Sequence, residues 1–337
     1  MNSREIELYM QHCFFLAKKG IGFVSPNPPV GALLVHQNKI IGEGYHKAYG
    51  EAHAEIAAIE SVAPKQKHLI AESSLFVSLE PCNHFGKTPP CCQRILQEGI
   101  KNVYYSIQDP NPQMSGKSIS WLRQNGIVVN GPILAAQGLD LIRSFYINTT
   151  QCRPYVILKF AQSSDFYIAN EGRTKISNEY SNRLVHKWRH ESDGILIGKN
   201  TLISDNPLLT TRLWPGKNPT RILLGNIPDD QKSSYVFFND EAKSFELDDL
   251  IRSKDRPLQQ ILNSILQKGI GVLLVEGGAH TIQSFIDTGL WDEARIITNQ
   301  KLKLISGIKA PCIKGFLENK FILESDVIHI IRKNRPS

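Results

Sequence analysis

Residues 51–61 read Glu-Ala-His-Ala-Glu-Ile-Ala-Ala-Ile-Glu-Ser, and residues 79–92 read Leu-Glu-Pro-Cys-Asn-His-Phe-Gly-Lys-Thr-Pro-Pro-Cys-Cys. The first stretch is an Ala-rich helical pattern, expected over Glu51 to Ser61 and ended by Pro64. The second leaves a strand-like run, Leu75 to Leu79, passes through a Pro-Cys loop and enters a helix from Cys91 to Glu98. Working outward, Ile6, Leu8, Tyr9, Phe14, Phe15 and Leu16 recur near helical spacing between Glu5 and Lys19. Strand-like runs follow at Val30 to Val35 and Lys39 to Glu43, then at Asn102 to Ile107, with a further helix and strand up to Asn130. Strands alternating with helices imply a three-layer α/β domain.

The same two stretches carry chemistry. His53 opens one helix, and Cys82 and Cys91 flank the start of the next, so three borderline or soft ligands converge. A catalytic zinc takes three protein ligands and leaves one position open, which makes hydroxide available near neutral pH. His53, Cys82 and Cys91 are the expected metal ligands. Glu55, two residues from His53, sits close enough to relay a proton without binding the metal, a division of labour that suits hydrolytic deamination. A closed zinc knuckle or buried free cysteines would give Glu55 no task. Cys92 is rotated about 100° from Cys91 on a helix and is read as core packing. His84 is assigned a substrate-shaping role. His46 and His68 read as ordinary surface or packed histidines, His46 lying near enough to the motif to contact substrate.

The segment Gln151-Cys152-Arg153-Pro154 breaks the first pattern, and a new strand begins at Tyr155. At 337 residues the chain exceeds one usual hydrophobic core, so two domains are expected, residues 1–149 and 150–337. The second half alternates again: strands at Tyr155 to Phe160, Gly194 to Gly198, Thr220 to Leu224, Gly271 to Val275 and Glu293 to Thr298 surround helices at Asn178 to His190, Leu258 to Lys268 and Thr281 to Asp287. The polar stretch Asp229 to Arg256 shows no clear pattern. Lys159, flanked by Leu158 and Phe160 in an apolar strand, is read as lining a pocket.

Composition narrows the partners. Six cysteines at 13, 82, 91, 92, 152 and 312 are too few and too scattered for a disulfide framework. The N-terminus carries Glu5 where a signal peptide wants basic residues, and no apolar run approaches the ~20 residues of a membrane span, so a cytoplasmic location and no membrane partner are expected. The net charge of +7 suits an anionic partner, but no run of five basic residues marks a nucleic-acid arm. A phosphorylated small molecule is favoured over nucleic acid.

Ser25-Pro26-Asn27-Pro28-Pro29-Val30-Gly31, Gly42-Glu43-Gly44-Tyr45-His46, His53-Ala54-Glu55, the run Leu79 to Cys91 and Asp109-Pro110-Asn111-Pro112 together resemble the bifunctional riboflavin-biosynthesis deaminase/reductase family. The second half resembles that family's reductase domain through Leu158-Lys159-Phe160-Ala161, Ser163-Ser164-Asp165, Ile176-Ser177, Gly194 to Gly198, Asp205 to Arg212 and Val275-Glu276-Gly277-Gly278. The resemblance implies a cytidine-deaminase-like three-layer α/β/α domain followed by a dihydrofolate-reductase-like α/β domain. It also implies Zn2+ and NADPH as cofactors, a phosphorylated diaminopyrimidinone as substrate and a homo-oligomer. Carried over residue by residue, Asn27 would bond the pyrimidine ring. Ala161, Thr201, Asp205, Gly278, Ala279, His280, Thr281, Ile282, Gln283 and Ser284 would contact NADPH, and Arg189, Leu209, Arg212 and Glu276 the second substrate, with Lys159 added as a substrate contact from its place in the strand.

Some positions depart from the family pattern. Ser163-Ser164-Asp165-Phe166 stands where Ser-Leu-Asp-Gly is usual, Arg173-Thr174-Lys175-Ile176-Ser177 where Ser-x-Trp-Ile-Thr is usual, and Gly225 replaces an aspartate after Arg221-Ile222-Leu223-Leu224. Two rival readings follow. One is a deaminase whose second half only binds ligand; the other is a deaminase that edits RNA.

Overall fold

All six residues of the strand Ser74–Leu79 are buried, which requires cover on both faces. The computed structural model describes residues 1–83, 89–170, 175–247 and 258–333. One compact unit spans Met1–Gln151, and a second begins at Cys152.

The first unit runs α1 (Ser3–Lys18), β1 (Gly31–His36), β2 (Lys39–Tyr45), α2 (Ala54–Glu60), a 3-10 segment (Pro64–Glu72), β3 (Ser74–Leu79), α3 (Cys91–Gln97), β4 (Asn102–Ile107), α4 (Lys117–Gln124), β5 (Val128–Asn130), α5 (Ala135–Leu141) and α6 (Arg143–Gln151). Its sheet has the order β2-β1-β3-β4-β5. Strand β1 is antiparallel to β2 and β3, while β3, β4 and β5 are parallel. Alternation sorts the side chains. Ala32, Leu34, Leu75 and Val77 pack against Ala54, Ala58 and Ile59 of α2, Cys92 and Ile95 of α3, and Ile119 and Leu122 of α4. Leu33, Val35 and Phe76 face Met10, Cys13, Phe14 and Leu16 of α1. Helices on both faces make three layers.

Helix α2 starts later than the expected Glu51. Glu51 is held in a turn by its N–H to Ala48 O, and Ala52 O accepts from a side chain, so His53 becomes an extended N-cap with φ −70° and ψ 161°. Gly44 lets α2 lie close on β2, since a Cβ there would stand 2.4 Å from Ala58 N. Helices α5 and α6 escape a periodicity reading because α5 buries only Gly138 among its residues and α6 buries none.

The second unit comprises β6 (Tyr155–Ser163), β7 (Tyr167–Ala169), α7 (Glu179–His190), β8 (Gly194–Gly198), α8 (Lys199–Asp205), β9 (Thr220–Leu224), β10 (Ser244–Leu247), α9 (Leu258–Gln267), β11 (Val272–Val275), α10 (Ala279–Thr288), β12 (Glu293–Asn299), β13 (Ile308–Lys309), β14 (Phe316–Leu323) and β15 (Asp326–Arg332). Its large sheet has the order β10-β9-β8-β11-β6-β12-β15-β14, parallel through β12 and closed by two antiparallel strands. Val156, Leu158 and Phe160 point toward α9 and α10, and Ala161 packs with Val185 and Trp188 of α7. Lys159 therefore shares the α7 face. Within the stretch 229–256, 3-10 turns occupy Asp229–Ser234 and Val236–Phe238, and the fully buried Arg221 bonds the backbone oxygens of Val236, Asn239 and Ala242.

Two of the departures have backbone counterparts. Gly225 takes φ 117°, where an aspartate would be strained, and Phe166 takes φ 66° with 61% of its surface exposed. Phe166→Gly is expected to raise unfolding stability by about 1 kcal/mol in chemical denaturation, since little packing is lost; an unchanged or lower value would refute strain at this site.

His186 is buried on α7, and its Nδ1 accepts from Leu213 N. Burial, aided by the charges of Arg189 and Arg212, lowers its pKa to about 4 from 6.5. The folded state thus resists protonation more than the unfolded state does. This contribution is full above pH 6.5 and is lost as pH falls toward 4. Stability should drop on the order of 2–3 kcal/mol across that window, and His186→Gln should flatten the drop in denaturation curves measured at each pH.

Candidate functional site

Strand β3 delivers Glu80, Pro81 and Cys82 from its C-terminal end, where Glu80 N bonds Ile107 O of the neighbouring strand. The start of α2 presents His53, and the start of α3 presents Cys91, whose N–H donates to Cys82 Sγ. His53 Nδ1 lies 3.4 Å from Cys82 Sγ and 3.3 Å from Cys91 Sγ, and the three ligand atoms all fall within 4.8 Å of one another. Tetrahedral zinc with bonds near 2.0–2.3 Å spaces its ligands by roughly 3.6 Å, so this set fits the ion.

Electrostatics agree with that fit. The two thiols share one ionisation: a hydrogen bond from Cys91, together with His53, takes Cys82 down to about 4, while the bond to Cys82 and burial push Cys91 up. Binding a divalent cation removes the cost of ionising both. His53 is raised, chiefly by its bond to Cys82. Glu55 is 3% exposed, and burial lifts its carboxyl to about 7, with the Cys82 charge adding to the effect. Cys92 is fully buried in the core, its thiol donating to Pro81 O, so it turns away from the triad.

A cavity of about 600 Å³ opens over this set, lined among others by Asn27, His46, Tyr49, Glu55, Asp109, Asn111 and Phe145. That volume suits a small-molecule ligand. His68 lies exposed on the 3-10 segment, and His84 falls outside the described residues. Sequence reasoning passed over Glu80. Its buried carboxylate accepts from the N–H groups of Asp109, Gly116 and Ser118 and from Ser118 Oγ, tying the Asp109-to-Asn111 wall and the start of α4 to the base of the cysteine loop. Its place immediately before Pro81-Cys82 was the available signal.

In the second unit, the pairing of Val275 with Leu158 sets Glu276 beside Lys159, at 3.7 Å. Arg189 of α7 grips both oxygens of Glu276 at 2.9 Å and donates to Thr210 O. Although burial opposes ionisation, Arg189 and Lys159 hold the Glu276 carboxyl at about 2. Arg189 and Lys159 thus meet at one carboxylate, burial lowering the Lys159 pKa while Glu276 opposes that shift, and Arg189 is 12% exposed rather than a surface residue. Arg212 is exposed, while Leu209 is buried with φ 54°.

Thr201 Oγ1 accepts from Gly278 N, linking α8 to the start of α10. Gly277 is required there, since a Cβ would stand 2.7 Å from Thr281 Cβ. Gly278 caps α10 without a side chain, so the helix N-terminus is open to an anion such as a cofactor phosphate. His280 is exposed, Ala279, Gln283 and Ser284 are partly so, and Ile282 is fully buried, so contacts in that stretch fall to its neighbours and backbone. Ala161 lies on β6 two residues past Lys159, and Asp205 ends α8, exposed. Arg173 and Thr174 fall outside the described residues.

Two family models match the chain: the cytidine and deoxycytidylate deaminase zinc-binding region over residues 3–107, and the RibD C-terminal domain over residues 154–302. The chain is 37% identical over 318 residues to riboflavin biosynthesis protein RibD of Aquifex aeolicus, covering 89% of this chain and 88% of that protein. It is 35% identical to the RibD of Bacillus amyloliquefaciens, covering 96% and 91%. A crystal structure from Thermotoga maritima, a diaminohydroxyphosphoribosylaminopyrimidine deaminase/5-amino-6-(5-phosphoribosylamino)uracil reductase, superposes with a TM-score of 0.88 at 32% identity, covering 98% of this chain and 99% of that one. Likeness of this extent spans the zinc triad and the Lys159 cluster alike, and the chain belongs to the RibD family of bifunctional riboflavin-biosynthesis deaminase/reductases.

Proposed function

We propose that the first domain, residues 1–149, hydrolytically deaminates 2,5-diamino-6-(5-phosphoribosylamino)pyrimidin-4-one, and that the second, residues 150–337, reduces the ribosyl chain of the product to ribityl with NADPH. The observation that carries the reading is the His53, Cys82 and Cys91 triad with buried Glu55 at the floor of the cavity. These three residues would hold zinc, which supplies the Lewis acidity that makes hydroxide available near neutral pH. Glu55, with a carboxyl near 7, suits a group that takes a proton from water and gives it to the departing amine. Asn27, which lines the cavity, would orient the ring.

In the second domain NADPH supplies the hydride. Its phosphates would rest on the open N-terminus of α10, with Gly277 and Gly278 allowing the approach and Thr201 bonded to Gly278 N, and Ala161 and Asp205 would add further contacts to the cofactor. Lys159, Arg189 and Arg212 would hold the phosphorylated sugar, with Glu276 fixing the first two and Leu209 packing beside them. The basic balance of the chain fits two phosphorylated substrates. No helix among the described residues is long and apolar enough to cross a membrane, and a cytoplasmic homo-oligomer acting on small molecules completes the reading.

A coupled assay tests it by following ammonia and NADPH absorbance on the diaminopyrimidinone ribosylphosphate. Wild type should release ammonia and consume NADPH. Glu55→Gln should lower ammonia release by roughly 10²–10⁴-fold, and adding deaminated intermediate should restore NADPH consumption in that variant. Ammonia without NADPH loss would reduce the second domain to ligand binding, and neither product would sink the proposal.

A further inference from the structure

His46 bridges two groups at the cavity wall. Its Nδ1 lies 3.1 Å from Ala52 O, and its Nε2 lies 3.1 Å from Asn27 Nδ2. A carbonyl oxygen only accepts, so Nδ1 must carry the proton, and in a neutral imidazole Nε2 is then an acceptor. At neutral pH an imidazole is ordinarily uncharged, and the amide nitrogen of Asn27 facing Nε2 is the geometry of that state. An acceptor at Nε2 admits only the NH2 end of the Asn27 amide. The two ends of an amide look alike in shape, and here the hydrogen-bond chain decides between them. Asn27 lines the cavity, and its Oδ1 has no partner among the described residues.

We infer that His46 is a positioning residue that fixes the polarity of the Asn27 amide, so that the cavity offers a hydrogen-bond acceptor and selects an aminopyrimidinone ring by an N–H beside the carbon that loses its amine. A chain of three bonds, Ala52 O to His46 to Asn27 to ring N–H, passes this polarity from the backbone just before His53 to the substrate. With the amide reversed, the cavity would present a donor and would favour rings with a bare nitrogen there, as in cytosine. The inference rests on the deaminase reading above and adds the residue that sets its ring specificity.

Two polar substitutions separate the two bonds of His46. His46→Asn keeps a donor for Ala52 O but is too short to reach Asn27, whereas His46→Gln places a carbonyl oxygen where Nε2 stood. His46→Asn should raise KM for the aminopyrimidinone by roughly ten-fold with little change in kcat and an unchanged zinc content, the pattern of a lost orienting bond. His46→Gln should recover most of that loss. In an Asn27→Ala background, His46→Asn should have little further effect, because the bond through which His46 positions the amide has been removed.

Equal impairment by both His46 substitutions, a full ten-fold loss persisting in the Asn27→Ala background, or a fall in kcat accompanied by zinc loss would each overturn the inference. A wild-type protein that releases no ammonia would instead overturn the deaminase reading on which it rests.

Discussion

Two sulfurs and an imidazole nitrogen packed against a buried carboxylate form an arrangement that protein groups alone do not neutralise. Only one of the two thiols ionises readily, Cys82 dropping to about 4 while Cys91 is pushed up, and Glu55 is driven toward its neutral form by burial and by the Cys82 charge. A divalent cation resolves all three conflicts together. The surrounding architecture serves to bring these groups to one point. Helix α2 lies close on β2 because position 44 has no Cβ, and the first residue of α3, Cys91, donates its N–H to Cys82 Sγ just past the end of β3. Glu80 then ties the cysteine loop to the wall that carries Asp109 and Asn111.

The second unit rests on a similar logic with side chains alone. A lysine in mid-strand on a parallel sheet would be costly without a partner, and the register of β11 against β6 supplies one in Glu276, which Arg189 of α7 also holds. Because Lys159 points to the α7 face while Leu158 and Phe160 point to α9 and α10, the charged cluster stays outside the main core. The glycine pair that follows β11 leaves the α10 N-terminus bare beside it.

How much of this was legible follows from the kind of signal each element carries. The strands at 102–107, 194–198 and 220–224 were readable to their ends because they are short apolar runs between turn residues, and the metal set was readable because ligand chemistry repeats at fixed spacing around two helix starts. Helices α5 and α6 bury almost nothing, so they left no period to read. The α2 start was misplaced by three residues because the bond from His46 to Ala52 O, which keeps that segment extended, is tertiary. Glu80 looked like one acidic residue among many, and its role depends on N–H groups from a loop nearly thirty residues away.

The central claim is that His53, Cys82 and Cys91 hold one catalytic zinc with a position left open to water. X-ray absorption at the zinc edge of the purified protein tests it most directly. The account predicts two sulfurs near ~2.3 Å, one imidazole nitrogen near ~2.0 Å and one further light atom at similar distance. A third sulfur, a second imidazole, or protein that takes up no zinc would contradict it.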